Sequence, residues 1–165
     1  MISNFYLYIS WNIDPALYDG FITLRYYSLF FALSLRKTKA KRIDAGTAIP
    51  FLQKHHLWSA TKARYYYGLF LPSKGNSGDN REGDEELVAV ATFSTKRKIL
   101  RGTRVTRSHE LIRFCSRADG VVIGGITKLI RTFIKEQEPV DDIVTVVDRD
   151  WGPGDGWHAI GFETI

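Results

Sequence analysis

The residues between Arg117 and Gly125 are of the types that bind phosphate. They read Arg117-Ala118-Asp119-Gly120-Val121-Val122-Ile123-Gly124-Gly125 and join a predicted strand to a predicted helix. A glycine-bearing loop in this position directs backbone N–H groups and the positive helix end toward one point, and it lets a pyrophosphate approach the backbone. The spacing matches neither the Walker loop nor the dinucleotide fingerprint. The alternative is that Gly124 and Gly125 only let the helix pack closely against the sheet.

Two carboxylates are the best candidates for a general base. Glu110 lies at the start of the predicted central strand, and Asp148 lies at the end of the strand after the helix. Because strand carboxyl ends in such sheets face the ligand crevice, the cluster Asp148-Arg149-Asp150-Trp151 is predicted to face a substrate. The alternative is a turn that an Arg–Asp ion pair holds together.

Other nucleophile and metal candidates are weaker. Cys115 is the single cysteine, so the chain has no intramolecular disulfide, which favours a reducing compartment. Its apolar neighbours predict a packed thiol rather than a nucleophile. His55 and His56 adjoin without further ligands at metal spacing, and we therefore expect no zinc site.

Periodicity places these residues on an α/β fold. The predicted elements before the loop are a strand at 41–45, a helix that Thr47 caps, strands Tyr65–Leu71 and Leu87–Ser94, and an exposed loop at 72–85. We expect the two long strands to pair antiparallel across that loop. Nearer the amino end, Phe5–Trp11 suits a strand, and Phe21–Leu35 suits a helix or another strand.

A strand, a helix and a second strand surround the loop. Glu110–Ser116 is predicted to be the first strand. The residues of this strand predicted to share one face are Leu111, Arg113 and Cys115. The helix Val122–Glu136 has one apolar stripe, and Ile143–Val147 is nearly all apolar, as a buried parallel strand is. Together they predict a crossover unit with two parallel strands.

The charge of the chain favours an acidic partner. The net charge is +5 and the pI about 9.3, which suits a phosphorylated cofactor or a nucleic acid. The densest basic stretch is 96–107, with Lys96, Arg97, Lys98, Arg101, Arg104 and Arg107. This stretch would contact nucleic-acid phosphates. The alternative is a solvated hairpin connection, and the stretch lacks the interleaved aromatic residues that stack on bases.

No targeting or membrane segment is predicted. The most apolar run, Tyr26–Leu35, is about half of the roughly 20 residues that a membrane helix needs. The first twenty residues contain Asp14 and Asp19 and no basic residue, which argues against a secretory or transit signal. We therefore expect a soluble intracellular protein, in the cytoplasm or an organelle, that does not bind membranes.

The order of these elements resembles the GNAT superfamily of N-acyltransferases, which bind acetyl-CoA. The resemblance covers residues 41–165, roughly three quarters of the chain, and includes an aromatic-x-x-x-Gly-Phe signature at Trp157, Gly161 and Phe162. The string VVIGGITKLI…DIVTVVDRDW…GWHAIGF also resembles GNAT-like segments of uncharacterised plant and phage-type proteins. The resemblance implies a GNAT-like mixed sheet flanked by helices, in an acyl-CoA-binding domain at 41–165 after an aromatic-rich extension at 1–40.

The resemblance also implies where the CoA pyrophosphate binds. The backbone from Gly120 to Gly125 would hold it, with Arg117 at the family's leading Gln/Arg position. Val122 stands where the family pattern has a small residue, and the small pair Gly124-Gly125 follows later.

Trp157 departs from the family pattern. The family often has a tyrosine there that protonates the departing CoA thiolate, and tryptophan has no titratable proton. The adjacent His158 would act as an acid near neutral pH, although neighbouring residues face different sides of a helix. The alternative is that Trp157 is a core aromatic and His158 a surface residue.

These expectations describe acetyl transfer from acetyl-CoA to a primary amine. The catalytic candidates are Glu110, Asp148 and His158, and the candidate substrate contacts are Arg149, Asp150 and Trp151. The alternative is a catalytically inactive GNAT-like module that binds nucleic acid or protein through residues 96–107. A GNAT domain usually continues with a further strand or hairpin, so we expect the last strands to be missing after Ile165 or to be supplied by a partner.

Overall fold

The computed structural model describes residues 6–12, 37–72, 85–118, 122–137, 140–148 and 154–165. These residues form eight strands and three helices. The strands are β1 Tyr6–Asn12, β2 Lys39–Ile43, β3 Tyr65–Pro72, β4 Glu85–Phe93, β5 Arg97–Arg101, β6 Arg104–Ser116, β7 Asp142–Asp148 and β8 Glu163–Thr164. The helices are α1 Ala45–His55, α2 Gly125–Gln137 and α3 Asp155–His158.

One mixed sheet contains all of these strands. Its order is β2-β3-β4-β6-β7-β1-β8, and β5 pairs with the first part of β6. β6 and β7 are parallel, and the other neighbouring pairs are antiparallel. The predicted α/β fold, the antiparallel β3–β4 pair and the parallel strands joined through α2 are therefore confirmed.

The strand expected at Phe5–Trp11 is present as β1. It pairs antiparallel with β7 along its whole length, from Tyr6 opposite Asp148 to Asn12 opposite Asp142. β8 then pairs with the other edge of β1. A strand from the amino end of the chain thus lies next to β7, at the edge opposite β6.

α1 and α2 lie on opposite faces of the sheet. Each helix contacts its own set of strand side chains, because side chains alternate between the two faces along a strand. α1 buries Ala48 and Leu52 against Val90 of β4. α2 packs on the other face, where the Phe133 ring stacks on Phe93 at 3.9 Å between centroids. The middle of the sheet is therefore covered on both faces, and a ligand would reach it at strand ends.

The residue that caps α1 is Asp44 rather than Thr47. The Asp44 carboxylate accepts a hydrogen bond from the backbone N–H of Thr47 at 2.6 Å. The prediction of a Thr47 cap is wrong because the helix begins at Ala45, so Thr47 supplies an unpaired first-turn N–H to a cap that precedes it.

β6 contains a bulge that the sequence did not reveal. Thr92 of β4 lies opposite Arg113, but Phe93 lies opposite Leu111, so Ile112 is an extra residue on β6. Because an extra residue exchanges the two faces of a strand, the prediction that Leu111, Arg113 and Cys115 share one face is wrong. Leu111 packs in the core under α2, whereas Cys115 packs against the α1 cluster.

Several predicted positions lie outside the described residues: the helix or strand at 21–35, most of the loop at 72–85, Gly120, Arg149, Asp150 and Trp151. In the part of the chain that the structure describes, no helix is long and apolar enough to cross a membrane. The same part contains no group of three His, Cys, Asp or Glu side chains placed to hold a metal ion.

Candidate functional site

β6 and β7 pair over a short distance and then part. Their three paired positions end at Glu110 opposite Val144. Beyond that level the Thr145 hydroxyl donates to the Leu111 carbonyl at 2.9 Å, and the bulge at Ile112 follows at once. Past these contacts β6 pairs only with β4 and β7 only with β1 among the described residues. The strands therefore open toward their carboxyl ends.

A cleft of about 250 Å³ lies at the carboxyl end of β7. Its lining comes from the loop after α1, from β7 and from α3, namely His56, Leu57, Trp58, Val146, Val147, Asp148 and Trp157. Large apolar side chains remain uncovered there, since Leu57 is 72% exposed, Trp58 51% and Val146 37%. Uncovered apolar groups beside a carboxylate are typical of ligand-binding clefts.

His56 presents a hydrogen-bond donor to this cleft. The backbone N–H of Trp58 donates to His56 Nδ1 at 3.1 Å, so the proton of the neutral ring lies on Nε2. Burial, and next the nearby Arg113 charge, lower the pKa of His56. The imidazole is therefore neutral at pH 7 and donates through Nε2–H.

Arg113 reaches the same side of the sheet because of the bulge. It lies on the α1 face, as Cys115 does, and its guanidinium is 5.8 Å from the centre of the Trp58 ring. Its Nε is buried and makes no hydrogen bond within the described residues. The cleft thus has a carboxylate at Asp148, whereas the Arg113 guanidinium does not line it and donates to the Ile112 carbonyl at 2.8 Å.

The two predicted general bases are far apart. Asp148 lines the cleft, but Glu110 lies opposite Val144, four residues earlier on the neighbouring strand, or about 13 Å at the usual strand rise. The Glu110 carboxylate is 3.7 Å from Arg97 of β5. The structure therefore places only Asp148 in the cleft.

The predicted phosphate loop is partly described. The Arg117 side chain pairs with Glu86, and its backbone N–H donates to Val88. Val122 is buried in the core, and α2 begins directly after Gly124, which has a φ of 73°. A Cβ on Gly125 would lie 3.2 Å from the side chains of Leu69 and Val122, so the absence of a side chain here lets α2 pack closely.

Trp157 and His158 point in different directions, as their positions on α3 require. Trp157 lines the cleft and contacts the Phe162 ring edge-on at 5.2 Å between centroids. His158 is exposed, and its Nδ1 donates to the Phe162 carbonyl at 2.9 Å. His158 is not part of the cleft lining.

A second, wider groove lies between α1 and the ends of β4 and β6. Its volume is about 620 Å³, and its basic residues are Lys54, His55 and Arg117. His55 Nδ1 accepts a hydrogen bond from the backbone N–H of Ala118 at 3.3 Å, which ties the start of the loop to α1. The groove therefore places Lys54 near the start of the loop, whereas Arg117 is paired with Glu86, which also lines the groove.

The basic stretch at 96–107 is a hairpin of β5 and β6, and three of its four arginines face carboxylates. Arg107 forms a two-pronged ion pair with Asp141, at 2.5 and 3.0 Å. A nitrogen of Arg101 lies 2.9 Å from the buried Asp142, too poorly aligned for a hydrogen bond. With the Arg97–Glu110 contact, half of the six basic side chains are paired.

The cleft residues that the sequence did not single out for this role are His56, Leu57, Trp58, Val146 and Val147. They come from two segments that are distant in the sequence, and no spacing pattern links them. No protein-family model matches the chain, and no curated protein is significantly similar to it.

Proposed function

We propose that this protein binds acyl-CoA between β6 and β7 and transfers the acyl group to a primary amine. The observation that carries the proposal is the parting of two parallel strands at the Ile112 bulge. Peptide groups on the facing edges lack a strand partner beyond this point among the described residues. The pantetheine arm of CoA is an extended chain with two amides, which can pair with strand edges as an added strand does.

The loop before α2 supports the same ligand. α2 begins at Gly125, and the first-turn N–H groups of a helix favour the negative charge of a pyrophosphate. Gly124, at a φ of 73°, turns the backbone into the helix without a side chain in the way. The resemblance to GNAT N-acyltransferases, with a strand, this loop, a helix and a parallel strand in the same order, agrees with this assignment.

The chemistry assigned to the cleft begins with an ammonium ion beside Asp148. Asp148 takes one proton, and the neutral amine attacks the thioester carbonyl carbon. The C–S bond breaks as the amide forms, and the second nitrogen proton passes to the CoA sulfur, directly or through water. This route requires no proton from Trp157, and Glu110 would act only through a chain of waters.

The alternative proposal is a module that binds nucleic acid through the 96–107 hairpin. The exposed Lys98 and Arg104 support it. The ion pairs of Arg101 and Arg107 count against it, because their charge is already neutralised by Asp142 and Asp141. We therefore favour acyl-CoA.

Two glycine variants separate the proposals. Gly124 and Gly102 both have positive φ, at 73° and 59°, so Gly124→Glu and Gly102→Glu carry the same charge and similar backbone strain. We expect calorimetric titration to detect acetyl-CoA binding by the unmodified chain and by Gly102→Glu, and an affinity at least about tenfold weaker for Gly124→Glu. No binding by the unmodified chain would contradict the enzyme proposal.

The same two variants test the alternative. Gly102 is in the hairpin turn, so a glutamate there would weaken nucleic-acid binding, whereas Gly124→Glu would not. A salt series on the unmodified chain should show affinity falling steeply with ionic strength if the hairpin contacts phosphates. A flat or absent response removes the alternative.

A further inference from the structure

The β5–β6 hairpin carries two large apolar side chains on one uncovered face. Leu100 and Val105 lie directly opposite each other in the hairpin, and opposed residues of an antiparallel pair share a face. Leu100 is 68% exposed and Val105 is 56% exposed. In the turn between them, a Cβ on Gly102 would meet no atom within 4 Å beyond its chain neighbours. The apolar pair therefore lies near the end of a hairpin that projects into solvent.

Basic side chains surround this apolar pair. Lys98 lies two residues before Leu100 and so on the same face, and Arg104 lies next to Val105 at the turn. Both are exposed, and neither lies within ion-pair distance of a carboxylate among the described residues. Asp141 feels the charge of Arg104 but is already paired with Arg107. The hairpin tip, defined as Lys98, Leu100, Arg104 and Val105, thus has an apolar centre and free positive charge at its rim.

The composition of the hairpin tip suits a lipid surface better than a macromolecule. A specific protein interface buries about 800 Å² on each partner, more than two aliphatic side chains on a projecting turn supply. Nucleic-acid phosphates would pair with Lys98 and Arg104 but would leave the apolar pair in water, and the stretch at 96–107 has no aromatic residue to stack on bases. An anionic membrane accepts aliphatic side chains below its headgroups and cations at them.

We propose that the hairpin tip binds the surface of a membrane that contains anionic phospholipid. Leu100 and Val105 enter the boundary between headgroups and acyl chains, while Lys98 and Arg104 contact the phosphate and carboxylate groups above it. The sequence led to the expectation of no membrane contact because it was searched for a spanning segment. Binding to a membrane surface requires no such segment.

This contact leaves the open end of the β6–β7 pair accessible. β6 extends from Arg104 at the turn to Ser116, which is about 40 Å along the strand at the usual rise. The strands part toward the far end of β6, away from the hairpin tip. Membrane binding therefore depends neither on acyl-CoA nor on the proposed function.

The first test uses the full chain and sedimentation with lipid vesicles, without acyl-CoA. Vesicles of phosphatidylcholine alone are compared with vesicles that contain about 30% phosphatidylserine. We expect binding to the anionic vesicles to be at least about tenfold tighter, because each basic residue near an anionic surface adds to the affinity, and to weaken as salt is added. No binding to the anionic vesicles, or equal binding to both kinds, overturns the proposal.

A matched pair of leucine variants tests the apolar contact. Leu100 and Leu57 are exposed to a similar degree, at 68% and 72%, but Leu57 lies in the loop after α1 rather than in the hairpin. We expect Leu100→Ser to weaken binding to the anionic vesicles at least about tenfold, because a leucine side chain then no longer leaves water. Leu57→Ser should leave binding unchanged. Equal effects of the two substitutions overturn the placement.

A matched pair of lysine variants tests the charged rim. Lys98 and Lys54 are both exposed, and Lys54 lies near the opposite end of β6, since its neighbour His55 is hydrogen-bonded to Ala118. We expect Lys98→Glu to weaken binding to the anionic vesicles at least about tenfold and Lys54→Glu to weaken it less than about threefold. A loss from Lys54→Glu as large as that from Lys98→Glu would show that only the net charge matters and would overturn the placement.

Other occupants of the hairpin tip give different results. Binding of duplex DNA or single-stranded RNA that Lys98→Glu weakens, without vesicle binding, overturns the proposal in favour of the nucleic-acid module. A dimer in sedimentation velocity without lipid, dissociated by Leu100→Ser, overturns it in favour of a second copy of the chain. If vesicles are bound and acetyl-CoA is not, the membrane contact stands and the acyltransferase proposal fails. The opposite pair of results has the opposite meaning.

Discussion

The two ends of the β6–β7 pair differ in almost every respect. At the amino end the strands are hydrogen-bonded, and arginines of the β5–β6 hairpin pair with Asp142, the first residue of β7, and with Asp141 before it. At the carboxyl end the strands part, and a carboxylate, an imidazole and two indoles line a cleft. The contrast indicates that the amino end stabilises the fold and that the carboxyl end is available for a ligand.

The largest effect of a substitution is expected on the free energy of unfolding, at the amino end of the β6–β7 pair. Asp142 is 1% exposed, and neither of its oxygens has a hydrogen bond among the described residues, so the nearby Arg101 charge is its main compensation. Arg101→Ala leaves a buried carboxylate unpaired and should lower the free energy of unfolding by about 3 kcal/mol. Urea unfolding measures it, with the exposed Lys98→Ala as control. A loss equal to that of the control would show that the hairpin does not depend on this pair.

The next largest effect is expected on kcat, from a substitution at the carboxyl end of the pair. Asp148→Asn should lower kcat with an amine acceptor about 100-fold, or about 2.7 kcal/mol, because a general base contributes this much or more. Acetyl-CoA affinity should not change. Glu110→Gln, at the closed end of the pair, should lower kcat less than threefold. A larger loss of kcat in Glu110→Gln than in Asp148→Asn would identify Glu110 as the base and contradict the distinction between the two ends.

A smaller effect, on the pH dependence of the free energy of unfolding, is expected from two histidines, one at each end of the β6–β7 pair. His109 is 1% exposed; its Nδ1 donates to the Ser94 carbonyl at 2.9 Å, and its Nε2 is buried without a partner within the described residues. Burial lowers the pKa of His109, as it does for the half-buried His56. Because the unfolded chain binds more protons, the stabilisation is complete above pH 6.5 and declines as the pH falls below it.

The two histidines can be separated by urea unfolding at pH 7.5 and pH 5. We expect the unmodified chain to be less stable at pH 5, His109→Leu to lose most of this difference, and His56→Gln to lose less, since only His109 is fully buried. A pH dependence that follows His56 alone would contradict the assignment of stability to the closed end.

The smallest effect on the free energy of unfolding is expected for the Arg107–Asp141 pair. The hydrogen bonds from Arg107 lower the pKa of Asp141 to about 2. This stabilisation is present above pH 3.8, the ordinary value, and is lost as the pH falls toward 2. Since Arg107 is 43% exposed, Asp141→Asn should cost only about 1 kcal/mol at pH 7 and nothing near pH 2. Equal losses at both pH values would mean that the cost is not electrostatic.

Local patterns were sufficient to predict most elements of the fold. Tyr65–Leu71 and Ile143–Val147 are rich in β-forming and apolar residues, and the apolar stripe of the α2 segment has a helical period, so each element followed from its own residues. The pairing of β1 with β7 joins segments more than 120 residues apart, and nothing in either segment specifies the other. Such register depends on the finished sheet.

The candidate site was harder to predict because it depends on one extra residue. Ile112 is an ordinary strand residue, with no glycine or proline to indicate a bulge, yet it turns Arg113 to the α1 face and ends the pairing with β7. Asp148 was recognised from its place at a strand end. His56 and Trp58 were not, because they meet it only through the packing of α1.

Hydrogen exchange with and without acetyl-CoA tests the central claim most directly. If the pantetheine arm pairs with the parted strand edges, backbone amides in 112–116 of β6 and 145–148 of β7 should exchange more slowly when acetyl-CoA is present. Amides of the hairpin, at 97–107, serve as the internal control and should not change. Slower exchange confined to the hairpin, or none at saturating acetyl-CoA, would contradict the claim that the open end of the β6–β7 pair is the acyl-CoA site.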